Sequence, residues 1–510
     1  MSVGRRTTYI SRNLVLSVRP LQTSNRSMDM DGRAVLSAER TDSENDVRKC
    51  PFSIKKMNLS LGPGIGRAMP ETRPPDLGQQ GEETMKKTDS KDHPIGRRSV
   101  LGATAAALSA GALGSVRAFG QTREQVAKGE GNHSASNPGP KNPVLQGLNP
   151  NSYLPPSTDR GVIEPIWYSF DLVHRRIQDG GWTSQVTSKE FPSSLDIAGV
   201  TMRLTAGSYR ELHWHSANEW AYMLYGNARI TVFEPNGKIF IGDVSEGDLW
   251  FFPTAHPHSI QGLGPDGCEF LLAFDQGNFS EYNTFLLSGL VAHTPSKVVS
   301  QNFNIPETEL NNLPESGLYI FPGTVPGPLE DDRKAVGGPA VASKLDYAFK
   351  MKSMKPLAET GGGSVRVVDS HNFPAAKTVA GALFTMKPGA LRELHWHPIS
   401  EWQYYINGSA RMTVFDSAGA AHTMDYKSND VGLAPAISGH YIQNTGNDDL
   451  SFLALFKSDT FVEFSLNQWL RRLPVQMTEQ HLRLSPTAIA RIPDIANNII
   501  PASSKGTDPQ

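Results

Sequence analysis

At 510 residues the chain has room for two or three domains. With 38% hydrophobic and 20% charged residues and a formal net charge of −2, it has the make-up of a soluble globular protein. No basic excess points to a nucleic-acid partner. Cys50 and Cys268 are its two cysteines, so there is no disulfide framework and no support for a thiolate metal site.

Residues 1–84 are rich in Arg, Ser, Asp and Pro and lack sustained hydrophobic periodicity, which predicts no fold there. The opening from Arg5 to Arg26 has a transit-peptide composition, but the acidic stretch after it argues against a simple one. The character changes at Met85. Gly96-Arg97-Arg98-Ser99-Val100-Leu101 leads into an Ala/Gly/Leu run from Gly102 to Gly114, closed by Val116-Arg117-Ala118. This order predicts a twin-arginine export signal over 85–118, cleaved after Ala118. The run is too short and too rich in Ala and Gly for a bilayer span of about 20 apolar residues, so no stable membrane anchor is expected. The expected destination is the periplasm or the medium of a bacterium. Such signals begin near the initiator, which makes Met85 the expected start and residues 1–84 an over-extended reading frame. Residues 119–158 read as a polar arm that lies on a neighbour or stays mobile.

The folded part begins near Asp159, and it contains an internal repeat. Gly181 to Phe274 aligns with Gly363 to Phe456 at a constant offset of 182 residues without insertion. Arg210-Glu211-Leu212-His213-Trp214-His215 matches Arg392-Glu393-Leu394-His395-Trp396-His397, and Thr231-Val232-Phe233 matches Thr413-Val414-Phe415. Short β-branched and aromatic runs, such as Ile239-Phe240-Ile241, alternate with turns such as Pro235-Asn236-Gly237. Each copy therefore predicts an all-β domain, an antiparallel barrel or jelly roll of about 100 residues. Two copies at a long period mean tandem domains, expected over 159–335 and 336–510, not a solenoid. Helices are expected over 281–290, 306–313, 466–470 and 478–484, and a loop over 321–342.

Within each copy one constellation carries chemistry. His213 and His215, two residues apart on a strand, face the same way. Glu219 can return a carboxylate and His258 a third imidazole from a later strand. The second copy repeats the set as His395, His397, Glu401 and His440. Three neutral imidazoles and a carboxylate suit Mn, Fe, Cu or Zn. Arg210 and Arg392 stand three residues before the first histidine of each set, an odd offset that places them on the opposite strand face by parity alone. Surface or fold-stabilising pairs with Glu211 and Glu393 are their plain alternative.

Gly207-x5-His213-x-His215-x3-Glu219-x6-Gly226 and Gly389-x5-His395-x-His397-x3-Glu401-x6-Gly408 match the first cupin motif, while Pro253-x4-His258 and Pro435-x4-His440-x3-Asn444 resemble the second. Gly262 stands where an Asn is common, and Asn429 where the second motif usually opens with Gly. With Glu219-Trp220-Ala221-Tyr222-Met223 and Ser465-Leu466-Asn467-Gln468-Trp469-Leu470, the chain resembles the bicupin oxalate decarboxylases from about Asn151 to its closing helices. The resemblance implies one Mn2+ per cupin, dioxygen as co-substrate, and oxalate converted to formate and carbon dioxide. It also implies a homo-oligomer, a trimer or hexamer. It puts Arg210 and Arg392 on substrate, and makes Glu281, in Ser280-Glu281-Tyr282-Asn283-Thr284, the general acid of a flexible lid, with Tyr282 where the family usually has Asn. Glu463 stands at the repeat position of Glu281, but its apolar setting and nearby helix predict a structural charge. Ala454 replaces a Glu that second cupins of the family often carry, so the second copy is expected to lack an acid and the first to be catalytic. Oxalate oxidase, another metal-dependent bicupin dioxygenase and a non-enzymatic storage or sugar-binding bicupin are the competing readings.

Overall fold

The computed structural model describes residues 142–496 and 499–502. The extension 1–84, the twin-arginine segment 85–118 and the first part of the arm lie outside the described residues. The repeat folds as two β-sandwich barrels. In the second, one sheet has the order Trp167–Ser169, Asp430–Ala434, Glu401–Asn407, Leu450–Phe456, Ala380–Met386, Gly363–Val368, Ala358–Thr360. The other runs Ala421–Lys427, Ser409–Phe415, Gly439–Asn444, Leu391–Trp396, Phe464–Ser465, with Ile499–Ile500 pairing Leu391–Trp396. Every named pairing between these strands is antiparallel. Period-two burial drives the layering: Ala410, Met412 and Val414 are buried while their strand neighbours are not.

The first barrel repeats this plan with one change. Its strand Glu219–Phe233 runs 15 residues through both layers, where the second copy is interrupted at Gly408. Gly226 and Gly408 hold φ of 74° and 91° at the same bend. A Cβ on Gly226 would collide with the Gly267 carbonyl, so the motif glycine is a packing requirement.

The barrels share a core. One continuous cluster of buried side chains joins Phe170, Trp220, Phe252 and Phe274 of the first to Trp402, Leu433 and Leu455 of the second. Trp402 lies directly on Gly199 and Trp220 directly on Gly381, a reciprocal exchange that a Cβ at either glycine would obstruct.

Strands are exchanged as well, so the folded units cross the linear boundary expected at 335/336. Trp167–Ser169 adds to the second barrel by pairing Asp430–Ala434, and Ala348–Phe349 adds to the first by pairing Leu249–Phe252. The described end of the arm packs on its own chain. Its helices Pro143–Leu148 and Pro150–Tyr153 pack on Ala421–Lys427, where Asn151 Nδ2 donates to Asp425 Oδ2 at 2.7 Å.

The expected loop 321–342 contains a helix, Leu329–Ala335. It buries no residue and so lacks an apolar stripe to betray it. Glu330, Asp331 and Asp332 in its first turn and Arg333 and Lys334 in its last match the helix dipole. The stretch expected as one helix over 281–290 is a 3-10 turn, Glu281–Asn283, a strand, Phe285–Leu286, and a helix, Leu287–Ala292. The segment 306–313 reduces to a 3-10 turn, Glu307–Leu310. The closing helices are Leu466–Arg472 and Val475–Leu482. Among the described residues no helix is long and apolar enough to cross a membrane.

Candidate metal centres and active site

The eight expected ligands fall into two buried clusters, His213, His215, Glu219, His258 and His395, His397, Glu401, His440. In each, the four donor atoms lie within 4.8 Å of one another. The strand Tyr209–Trp214 carries the first histidine and pairs His213 with His258, while Leu391–Trp396 pairs His395 with His440.

Backbone carbonyls fix the tautomers. The Nδ1 atoms of His213, His215 and His258 donate to the carbonyls of Glu211, Ala217 and His256 at 2.6, 2.8 and 2.7 Å. Those of His395, His397 and His440 donate to Glu393, Val462 and Ser438 at 2.6, 2.8 and 3.0 Å. A neutral imidazole that donates through Nδ1 keeps only a lone pair at Nε2. Burial pushes His213 and His395 well below the usual imidazole range, and Arg210 and Arg392 push the same way. Burial alone would raise Glu219, but its contacts with His215 and His258 outweigh that and hold the carboxyl at about 2. Glu219 Oε2 sits 3.2 Å from His215 Nε2; Glu401 Oε2 sits 2.9 Å from His397 Nε2 and 3.0 Å from His440 Nε2. Lone pairs facing an ionised carboxylate at such distances are satisfied by a cation between them, and hard-to-borderline divalent metals fit this N3O set.

The arginines join these sites in spite of strand parity. Arg210 pairs with Ile260 and His213 with His258, three steps on one strand against two on the other, and the second barrel repeats the irregularity between Arg392 and His395. A β-bulge of this kind re-aims a side chain, and here it undoes the odd offset. Glu211 is not the partner of Arg210. Its carboxylate accepts from Ser288 N and Oγ at 2.6 and 2.5 Å, from Leu318 N at 2.9 Å and from Tyr319 N at 2.7 Å. That ties down Tyr319, an aromatic residue held at φ of 64°. Arg210 lies with its guanidinium carbon 4.2 Å from the centre of the Tyr319 ring, and Arg176 lies 3.7 Å from the same ring centre. Arg176 also reaches the Tyr282 ring at 5.5 Å.

Arg210 pairs instead with Glu281, Nε donating to Oε1 at 2.7 Å, and with Thr284, to whose Oγ1 it donates at 3.0 Å. Glu281 is 1% exposed. Burial pushes its carboxyl above the usual range; Arg210 opposes and the Glu219 charge adds to the rise. Its Oε2 has no hydrogen-bond partner among the described residues. The Ser280 side chain caps the turn and Gln185 accepts from Glu281 N at 3.1 Å. A cleft of about 660 Å³ adjoins this turn, lined among others by Gln185, Ser280, Tyr282 and Asn283.

The second site gives Glu463 a partner beyond the expected helix. It stands two residues before Ser465, the N-cap of that helix, which accepts from Gln468 N. Glu463 Oε2 pairs with Arg392 NH2, and Arg392 NH1 lies 3.6 Å from Glu393. Both barrels thus carry an Arg–Glu pair 71 residues apart in sequence, a recurrence the repeat offset alone could have flagged. The second copy does not lack an acid, although Ala454, buried on Leu450–Phe456, contributes none.

A cupin family model matches residues 172–311 and 349–490. Oxalate decarboxylase OxdC of Bacillus subtilis (strain 168) is 48% identical over 346 residues, 68% of this chain and 89% of the relative. The chain belongs to the bicupin oxalate decarboxylases. A probable oxalate decarboxylase of Arthroderma benhamiae is 36% identical over 343 residues, 66% of this chain and 83% of that protein. Among solved structures, B. subtilis oxalate decarboxylase at pH 4.6 matches with a TM-score of 0.70 at 45% identity, covering 72% of this chain and 95% of that one. A second B. subtilis structure, from work on the EPR of its Mn(II) centres, matches with a TM-score of 0.70 at 44% identity, covering 72% and 96%. Within this bicupin the residues around Arg210 missed from sequence are Thr284 and Tyr319. Neither has a motif of its own, because each acts through a partner that only strand register brings near.

Proposed function

We propose that the chain is a manganese-dependent oxalate decarboxylase that turns oxalate and a proton into formate and carbon dioxide, with dioxygen as co-substrate. The observation that carries this reading is the Arg210–Glu281 pair beside the buried His213, His215, Glu219, His258 centre. Manganese at that centre would supply positive charge for a substrate carboxylate and the one-electron chemistry that loosens the C–C bond. The Mn(II) centres of the B. subtilis relative support manganese over the other metals the ligands accept.

The chain's own groups do the rest. The Arg210 guanidinium offers a bidentate seat for a carboxylate of the dianion. When substrate takes that seat, Glu281 loses its counter-ion, and its burial then favours the protonated form still more. Over the whole turnover, with the electron taken in the one-electron chemistry returned, the pair of the broken C–C bond stays on the carbon of the retained carboxylate while carbon dioxide departs. Glu281 delivers its proton to that carbon, forming the C–H bond of formate, and is reprotonated from solvent once the turn opens. The 3-10 turn keeps bulk water away meanwhile. A site without a placed acid would favour oxidation to carbon dioxide and hydrogen peroxide; a buried carboxyl beside Arg210 favours formate.

We further infer export by the twin-arginine route, with cleavage after Ala118, and a homo-oligomer, trimer or hexamer, like others of the family. Folding and metal loading before export would let cytoplasmic manganese win over tighter-binding metals. An oxalate assay on metal-analysed mature protein, following formate and peroxide together, tests the function. Formate near one per oxalate with little peroxide is expected; peroxide as main product would make it an oxidase.

A further inference from the structure

The two metal centres have the same four ligands and different surroundings. In the second barrel Glu401 Oε2 faces the histidines, while its Oε1 accepts from Gln403 Nε2 at 2.8 Å. Gln403 is itself fixed, since its Oε1 accepts from Tyr405 OH at 2.7 Å. The Tyr405 ring stacks on Tyr426, with centroids 4.7 Å apart, and all of Gln403, Tyr405 and Tyr426 are fully buried. Gln403 has room because its cross-strand partner is Gly432, where any Cβ would meet the Gln403 amide. The first barrel inverts the pair: Ala221 stands at the place of Gln403 and its cross-strand partner is Trp250. Small beside large replaces large beside small, and an amide donor is exchanged for an indole. Glu219 Oε1 and Trp250 Nε1 are both without a hydrogen-bond partner among the described residues.

We propose that Gln403 is a positioning residue of the second metal centre, reserving Glu401 Oε1 so that this carboxylate ligates through one oxygen in one orientation. The first centre, with Ala221 and Trp250 in those places, leaves the second oxygen of Glu219 available, so its carboxylate can turn as substrate comes and goes. The second centre is then the tighter and stiffer, the first the more adaptable. Partners of ligands that fix their orientation commonly account for about 10–100-fold in metal affinity. The inference rests on the reading that both clusters hold manganese.

Single-site holoproteins make the test, with His213→Ala keeping only the second centre and His395→Ala only the first. Mn(II) affinity is measured by titration against a chelator, and the Mn(II) EPR spectrum of each is recorded. Wild-type ligand surroundings should give the second centre the tighter binding. Adding Gln403→Ala to His213→Ala should weaken Mn(II) binding about 10–100-fold and alter its EPR fine structure. Tyr405→Phe, which keeps the amide but removes its anchor, should move both readouts the same way by less, and it guards against a Gln403 variant that fails to fold. Ala221→Gln with Trp250→Gly, grafted into His395→Ala, should tighten the first centre. Unchanged affinity and EPR spectrum in folded Gln403→Ala and Tyr405→Phe proteins would overturn the proposal. No Mn(II) binding by either single-site protein would overturn the metal reading itself, and this inference with it.

Discussion

The two barrels present nearly the same ligands, arginine and glutamate, yet close over them differently. In the first, Tyr282, Asn283 and Thr284 stand between the Glu281 carboxylate and the strand that begins by pairing Phe285 with Trp214. In the second, Glu463 is followed at once by Phe464, which pairs with Trp396. Three extra residues give the first segment a turn of its own, with the sheet closed behind it; the second has no such slack. Anchoring differs in the same sense. His215 is held by the local Ala217 carbonyl, whereas His397 is held by Val462, the residue before Glu463. Moving the second segment would disturb a metal ligand. Moving the first would not. Phe279 and Phe461 pack against His215 and His397 alike, so the difference lies in chain length and backbone anchoring and not in the apolar setting. On the proposed mechanism an Arg–Glu pair is needed but not sufficient, because substrate would have to displace the glutamate and reach the arginine.

Breaking each centre in turn should have the largest effect. His213→Ala and His395→Ala should each lose about one bound metal per chain, and His213→Ala should leave almost no formate production. The metal content of purified variants and a formate assay check this. One metal per chain in fully loaded wild type would make one centre vestigial. Arg210→Lys should follow, raising KM for oxalate about tenfold or more, since an ammonium cannot give the bidentate seat or hold Glu281 and Thr284 together. Arg392→Lys should leave KM much closer to wild type, and steady-state kinetics of the two variants sharpen the contrast.

The pH profile should follow from the raised Glu281. With its protonated form as the proposed donor, activity should be retained below its folded pKa and lost as pH rises through it. His213, His258 and His395 shift the opposite way, held neutral by burial and ligating into mild acid before protonation competes for the metal. Turnover should therefore climb on acidification while metal content holds, then fall together with metal. A kcat/KM profile with metal analysis at each pH reads both limbs, and a rate that increases steadily through neutrality would contradict it. The smallest effect is expected from Arg176→Ala. Its contacts with the Tyr282 and Tyr319 rings are of the cation–π kind, worth about 0.5–2 kcal/mol. A few-fold change in kcat, with faster amide exchange in 280–284, would mark loss of a latch on the first turn.

Much of this was legible in the residues. Two copies of a spaced His, His, Glu, His set define both the barrels and their centres, because ligand chemistry and β-periodicity constrain the same positions. What was hidden depended on register. Parity put Arg210 and Arg392 on the wrong face, since a bulge leaves no mark in a single strand's sequence. Glu463 read as structural because Phe461 and Phe464 flank it, and the contact with Arg392 comes from the neighbouring strand, distant in sequence. The exchange of Ala221 and Trp250 for Gln403 and Gly432 lies in plain view, but its meaning needs the cross-strand pairing. The strand exchange between barrels was hidden for the same reason: Trp167–Ser169 and Ala348–Phe349 are two or three residues long.

The central claim, that the first barrel performs the decarboxylation, is tested most directly by formate production from Glu281→Ala and Glu463→Ala, side by side on protein with both metals loaded. Glu281→Ala should lose about 10²–10⁴ in rate, the usual range for a lost general acid, with both metals retained. Glu463→Ala should cost far less. A folded, fully loaded Glu463→Ala protein without formate production, beside a Glu281→Ala protein that keeps it, would move the chemistry to the second barrel.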